Sequence, residues 1–208
     1  MKVAIIGGGF YGIMASLKAA TTNHVKEVHL FEKGRSLLHA AGKYNQARLH
    51  LGFHYPRSQE TIEQSKSGAK IYEKRFPSVV KKIKKNIYII RDDGHISIDE
   101  YLYTMKQNKL KYREIDLSGS SFNYKAGGQD FKAIQVDEKY IDVSMLDYVL
   151  LQEIKNSGIH VHLNKEVKFV DTNLGNLELD NGKSDDFDFI VNCTYTDPFN
   201  GFSSQIPD

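Results

Sequence analysis

The sequence predicts an α/β fold: a parallel sheet flanked by helices and interrupted by a β-rich insert. Three observations predict it. The chain opens on a short apolar run, residues 2–6, that ends on glycine, as buried parallel strands do. A helical stretch and a second apolar run, residues 28–31, follow within about 30 residues, which is the order of a βαβ unit. The pattern then changes to short strands and turns between about residues 80 and 140, and helix–strand alternation returns afterwards.

Each element has its own signal. Residues 7–12 form a glycine-rich turn, and Ile13, Ala15, Leu17 and Ala20 give the following helix an apolar face, closed by Thr21-Thr22-Asn23. Residues 33–57 read as an irregular connection, too long to be a plain linker and therefore a place to look for function. Ser58 suits the N-cap of a helix reaching about Phe76, with Pro77 as its stop. Residues 87–90 read as a strand and Asp92-Asp93-Gly94 as a turn. Residues 95–143 mix short strands with turns, broken at Ser118-Gly119-Ser120-Ser121 and Ala126-Gly127-Gly128. Helical period resumes over 144–156, with Met145, Leu146, Val149, Leu150 and Ile154 as its stripe, Ser144 and Asp147 as a capping pair and Gly158 as the stop. Strands follow at 159–163, 167–170 and 177–179, then a tight turn at Asp180-Asn181-Gly182 and a last apolar strand over 187–192. The expected division is 1–80, 81–140 for the insert, and 141–208.

Composition bounds the function. Lys and Arg (28) nearly balance Asp and Glu (26), so no general case exists for nucleic acid. Lys81-Lys82-Ile83-Lys84-Lys85 is the local exception, read as a solvated face with a docking patch as the alternative. A single cysteine, Cys193, excludes an internal disulfide. No apolar run approaches a membrane span or a signal segment, so the expected location is the cytoplasm.

Gly7-Gly8-Gly9-Phe10-Tyr11-Gly12 matches G-x-G-x-x-G in the context the motif needs, between a strand and a helix. Gly7 allows the turn, Gly9 lets backbone approach a pyrophosphate, and Gly12 lets the helix pack on the sheet; the phosphates then meet the helix N-terminus. Glu32 closes the second strand at the spacing from which a carboxylate reaches ribose hydroxyls, and it would repel the 2′-phosphate of NADP. The unit is therefore Rossmann-type and binds a dinucleotide, with a glycine-rich structural turn as the plainer reading.

Several stretches resemble the D-amino-acid-oxidase-like family of FAD-dependent oxidoreductases. Val3-Ala4-Ile5-Ile6 with the glycine motif is similar to that family's opening, and Phe31-Glu32-Lys33 to its adenosine-ribose end. Tyr140-Ile141-Asp142-Val143, residues 158–163 and Glu166-Val167 are similar to the segment returning to the nucleotide. Phe189-Ile190-Val191-Asn192-Cys193-Thr194 is similar to the strand running back to the flavin, and residues 45–58 resemble a bacterial subgroup with unassigned substrates. The resemblance implies a Rossmann-type FAD-binding unit, discontinuous in sequence, with the insert as substrate subdomain. It implies FAD as cofactor, adenine contacts from backbone around Val167, and flavin contacts from the loop Ala41 to Gln46, including Asn45. Two departures are Ser16, where the family carries Ala or Gly, and length. Family members continue well past this point, so a fragment is expected.

In such a protein the flavin carries the redox step, and the protein orients substrate. The substrate-side candidates are Arg48 to clamp a carboxylate, His50 or His54 to stabilise flavin charge or move a proton, and Tyr55 to hydrogen-bond substrate. The plainer reading is that these residues brace their loop. The expected activity is two-electron oxidation of a small amine, amino acid or hydroxy acid. The alternatives are a non-catalytic nucleotide-binding remnant, working through a partner chain or self-association, and an NAD enzyme. No metal is expected: Gly52 and Pro56 keep His50 and His54 off one helix face, and His160 and His162 lack an acidic or thiol partner at ligand spacing.

Overall fold

Residues 1–44, 46–117, 131–171 and 174–195 are described by a computed structural model. In chain order the elements are β1 (Lys2–Ile6), α1 (Phe10–Ala20), β2 (Glu27–Glu32), β3 (Arg48–Leu49), α2 (Gln59–Arg75), β4 (Val80–Lys82), β5 (Asn86–Arg91), α3 (Ile98–Gln107), β6 (Tyr112–Ile115), β7 (Phe131–Val136), β8 (Lys139–Ile141), α4 (Val143–Asn156), β9 (His160–Leu163), β10 (Val167–Asp171), β11 (Asn176–Leu179), β12 (Ser184–Asp186) and β13 (Phe189–Asn192). They fold as two units, Met1–Asn45 with Asp147–Asp208, and Gln46–Leu146.

The first unit is built on a parallel sheet ordered β13-β1-β2-β9. Val3, Ala4, Ile5 and Ile6 are all buried, so β1 is covered on both faces, which explains its unbroken apolar sequence. Helix α1 packs on β1 and β2 through buried Ile13 and Ser16. Ala4, Ile6 and Phe31 meet Val167, Val170, Leu177 and Phe187, which come from a small antiparallel sheet ordered β10-β11-β12 and from the segment after it. Each fully buried aliphatic side chain here stabilises by about 2 kcal/mol.

The second unit holds two three-stranded sheets, β3-β8-β4 and β5-β7-β6. Its core joins Phe53, Ile62, Ile90, Tyr101, Met105, Leu110, Ile134 and Val136. Residues 46–80 therefore belong with the insert rather than with the first segment: β3 and β4 both pair with β8, and Ile62 of α2 lies in this core. The division falls after Asn45, not near residue 80.

Four expectations are corrected in detail. Helix α1 starts at Phe10, inside the glycine motif, because extended Gly9 is already its N-cap. Residues 95–143 contain a full helix, α3, closed by a Ser97–Glu100 capping box; Tyr101 and Met105 bury its apolar side. Asp142, not Ser144, caps α4: its Oδ1 accepts the Met145 N–H at 3.0 Å, while Asp147 faces Lys43 at 3.9 Å. Of the predicted stripe, Leu146, Leu150 and Ile154 are buried and Met145 is exposed. The turns expected at Ser118–Ser121 and Ala126–Gly128 lie outside the described residues.

A histidine cluster joins β2 to β9. His29 Nδ1 lies 3.0 Å from His162 Nε2, with the two rings stacked, and the His160 ring lies tilted against His29 at 4.8 Å between ring centroids. Burial, then the positive charge of His29 and His160, holds His162 below its ordinary 6.5; Asp185 opposes this and Lys165 adds to it. The folded protein thus binds this proton less readily than the unfolded chain. Stability is lost as pH falls from about 6.5 through the lower folded value. Thermal melts at pH 7.5 and 5.5 should show a lower Tm at the acid pH, by about 2–4 °C for each kcal/mol lost. His162→Phe should flatten that pH dependence; equal slopes for the two proteins would refute the assignment.

Candidate functional site

The first unit presents a nucleotide cradle where β1 gives way to α1. Gly7 takes φ +103°, and a Cβ there would lie 2.7 Å from the Cys193 carbonyl oxygen, so Gly7 alone lets β1 and β13 end side by side. The Cys193 N–H closes the pair by donating to Ile6 O at 2.8 Å. Gly9 differs: a Cβ built there meets nothing within 4 Å. The space in front of it is open, α1 has no acidic residue in its first turn, and no side chain caps the helix. This is the donor set and the clearance that a pyrophosphate requires, so the cradle fits the phosphates of a dinucleotide.

Glu32 is buried at the end of β2. Its Oε2 accepts the Gly8 N–H at 2.7 Å and its Oε1 accepts the Gly34 N–H at 2.6 Å. Each carboxylate oxygen retains a further lone pair, which leaves acceptor capacity for ribose hydroxyls. The segment after Glu32 folds back over the motif: Leu37 and Leu38 are buried, and the Leu38 N–H donates to Gly8 O at 2.9 Å. Lys33 is exposed, and so are Tyr11 and Ala41, the latter opening a 3₁₀ turn over Ala41–Lys43. Phe10 packs edge-on against Tyr11 at 5.6 Å between ring centroids. Val167 buries its side chain in the core. Cys193 is half-buried, and burial pushes its thiol up, away from the thiolate form; the Thr194 N–H donates to Asn192 Oδ1 at 3.0 Å. Asn45 lies outside the described residues, and exposed Gln46 opens the second unit.

The second unit brings together all four substrate-side candidates. Backbone bonds fix their loop: the Leu51 N–H donates to Glu138 Oε1 at 2.7 Å, and the Tyr101 hydroxyl donates to Phe53 O at 2.8 Å. Phe53 anchors the loop in the core, while His54 and Tyr55 face solvent. The rings of His50 and His54 are 4.6 Å apart, and His54 meets Tyr88 at 4.9 Å. Tyr55 lies 6.5 Å from His50, and the Arg48 guanidinium sits over the Tyr88 ring at 5.5 Å. The His54 ring is exposed at the loop surface yet partly covered by His50 and Tyr88; that partial burial, then the His50 charge, holds it below 6.5, with Glu138 opposing and Arg48 adding.

Sequence reasoning passed over Tyr88 and Glu138. The Tyr88 hydroxyl donates to Glu138 Oε2 at 2.6 Å; burial first, then this bond and the Glu138 charge, push Tyr88 far above its ordinary 10. Burial also opposes charge on Glu138, but the nearby His50 ring, the Leu51 N–H and the Tyr88 hydroxyl outweigh it and hold Glu138 below its ordinary 4.5. Tyr88 sits in an apolar run and Glu138 in a short polar link, Asp137-Glu138, so nothing local marks either. Among the described residues no group of three or more His, Cys, Asp or Glu could hold a metal, and no helix is long and apolar enough to cross a membrane.

A parallel sheet opening on this cradle marks the first unit as a dinucleotide-binding α/β fold. The chain belongs to the FAD dependent oxidoreductase family, DAO, whose model matches residues 2–205, and the family's cofactor is FAD. FAD-dependent monooxygenase FPY4 of Fusarium mangiferae is 36% identical over 116 residues, which is 54% of this chain and 30% of that protein. FAD-dependent monooxygenase kojA of Aspergillus flavus is 25% identical over 217 residues, covering 100% of this chain and 47% of that protein. The chain thus spans less than half the length of these two curated relatives. Among solved structures it shares its fold with glycine oxidase from Geobacillus kaustophilus, at TM-score 0.67 and 16% identity over 92% of this chain and 54% of that one. L-proline dehydrogenase from P. horikoshii matches at TM-score 0.71 and 14% identity, over 99% of this chain and 57% of that one.

Proposed function

We propose that this chain binds FAD at the first unit's cradle and serves a two-electron oxidation of a small amine, amino acid or hydroxy acid. The observation that carries the substrate side is the cluster of Arg48, His50, His54 and Tyr55 on one braced loop of the second unit. Gly7, Gly8, Gly9, Phe10, Tyr11 and Gly12 would hold the pyrophosphate and Glu32 the ribose. FAD, when bound, supplies the two-electron acceptor. Arg48, held over Tyr88, suits a carboxylate; the histidines and Tyr55 suit the polar end of the substrate. The proposal includes a cytoplasmic setting and a small-molecule substrate rather than nucleic acid or membrane, and it leaves room for a partner chain or self-association. Names of the curated relatives favour a second reading, oxygen insertion by the same cofactor.

The test is the visible spectrum of the purified chain with added FAD, beside Gly9→Val. Gly9 has extended backbone, φ −77° and ψ −176°, that valine adopts, and open space for a side chain. The variant should therefore fold normally and bind FAD at least on the order of 100-fold more weakly, about 2.8 kcal/mol. In the wild type, flavin colour should bleach anaerobically with an amine, amino acid or hydroxy acid. Failure to take up FAD, or equal uptake by Gly9→Val, would sink the cofactor assignment. Isotopic oxygen appearing in product would favour insertion.

A further inference from the structure

We infer that Glu138 is a positioning residue that sets His50 as the proton acceptor of the substrate cluster, with Nδ1 protonated toward Glu138 and the Nε2 lone pair left for substrate. The inference rests on the reading of that cluster as the substrate side.

Glu138 is the most deeply buried carboxylate among the described residues, at 1% exposure, yet it is charged by cause of its surroundings. It sits in the link between β7 and β8, and two of its contacts are hydrogen bonds: Oε1 to the Leu51 N–H and Oε2 to the Tyr88 hydroxyl. Its third neighbour is His50 Nδ1, 3.7 Å from Oε2 and just beyond hydrogen-bond length. That nitrogen is itself buried and has no hydrogen-bond partner. A buried carboxylate and a buried orphan ring nitrogen therefore face each other, and a small closing movement would satisfy both.

The tautomer follows from donor and acceptor rules. A carboxylate only accepts, so the ring nitrogen facing it must carry hydrogen, and a neutral imidazole then bears its lone pair on the other nitrogen. The His50 side chain keeps 28% exposure while Nδ1 is buried, so the accessible part of the ring lies away from Glu138. The other groups facing His50 do not compete for this role. Arg48 on β3 is a fixed cation, Tyr88 on β5 spends its proton on Glu138, and Tyr55 is only an edge-on neighbour. His54 is exposed and meets the His50 ring edge-on at 4.6 Å between centroids.

Oxidation of an amine or alcohol removes two protons and two electrons, equivalent to one hydride and one proton. FAD, when bound, would supply the two-electron acceptor for the hydrogen on carbon, and His50 Nε2 would accept the proton released from nitrogen or oxygen.

Ring-nitrogen NMR on the full chain, with no FAD added, tests the assignment. Wild type should show His50 protonated at Nδ1. Glu138→Gln, which offers an amide in place of the carboxylate, should shift His50 toward the Nε2-protonated form. Tyr88→Phe, which leaves the carboxylate, should keep the wild-type tautomer, so the proposal remains testable if the glutamine variant does not fold. With FAD bound, Glu138→Gln should lower kcat on the order of 100-fold with little change in KM. An Nε2-protonated His50 in wild type, or one tautomer common to wild type and Glu138→Gln, overturns the inference. Because the NMR readout needs no cofactor, it can fail while flavin binding holds, and flavin binding can fail while it holds.

Discussion

Gly12→Ala is expected to disrupt the first unit with or without cofactor. A Cβ at Gly12 would fall on the Gly7 carbonyl oxygen, well inside the 3.0 Å that real Cβ atoms respect. The oxygen belongs to backbone that cannot easily retreat. The Gly7 N–H donates to Phe31 O at 2.8 Å, and Gly7 is already pressed against the end of β13 at Cys193. Accommodating one methyl group would move α1 away from β1 and β2, opening the packing around Ile13 and Ser16, whose hydroxyl donates to Gly12 O at 2.8 Å. A loss above about 4 kcal/mol places the variant in the exceptional class of point mutations. Urea melts and Tm in the absence of FAD measure it, with a drop of more than about 8 °C expected. A normal melt would show that the turn yields, and the contrast with Gly9→Val, which should fold but not bind, would collapse.

That contrast shows what the sequence could and could not convey. The motif told three glycines apart by role, and the structure separates Gly9, with empty space before it, from Gly12, with backbone against it. The βαβ start, α2 and its Ser58 cap were legible because their signals are local: an apolar run, a glycine turn, a hydroxyl accepting an N–H three residues on. Helix α3 was equally local, and Ser97-Ile98-Asp99-Glu100 spells its capping box, but surrounding β-rich sequence masked it. The division at Asn45 was not legible, since it depends on β3 and β4 pairing with β8, some 90 and 60 residues downstream by order of magnitude. Glu138 was hidden for the same reason. Its meaning comes from Leu51 and Tyr88, 87 and 50 residues away in sequence.

Glu32→Ala is expected to weaken both fold and cofactor binding, because one carboxylate does two jobs. In the folded chain it satisfies the buried Gly8 N–H and the part-buried Gly34 N–H, so it ties the glycine turn to the segment after β2. Alanine would leave both donors without that partner. The Gly34 N–H can turn to water more readily than Gly8, so a loss of about 3 kcal/mol is expected rather than the full sum of two orphaned donors. The bonds from Asn164 N–H to Gly34 O and from Lys165 N–H to Glu32 O, both 3.0 Å, are made by backbone and survive the change, which should confine the damage to the turn. Glu32→Gln keeps one acceptor oxygen and sets an amide against the other N–H, so it should lose about half as much stability. Both variants should lose FAD affinity through the ribose, beyond what their stability explains. The decisive measurement is the apo-protein melt. Unchanged stability in Glu32→Ala would mean that the carboxylate serves the ribose alone. A matched fall in stability, with FAD affinity in Glu32→Gln kept at the wild-type level, would mean that it serves only the turn.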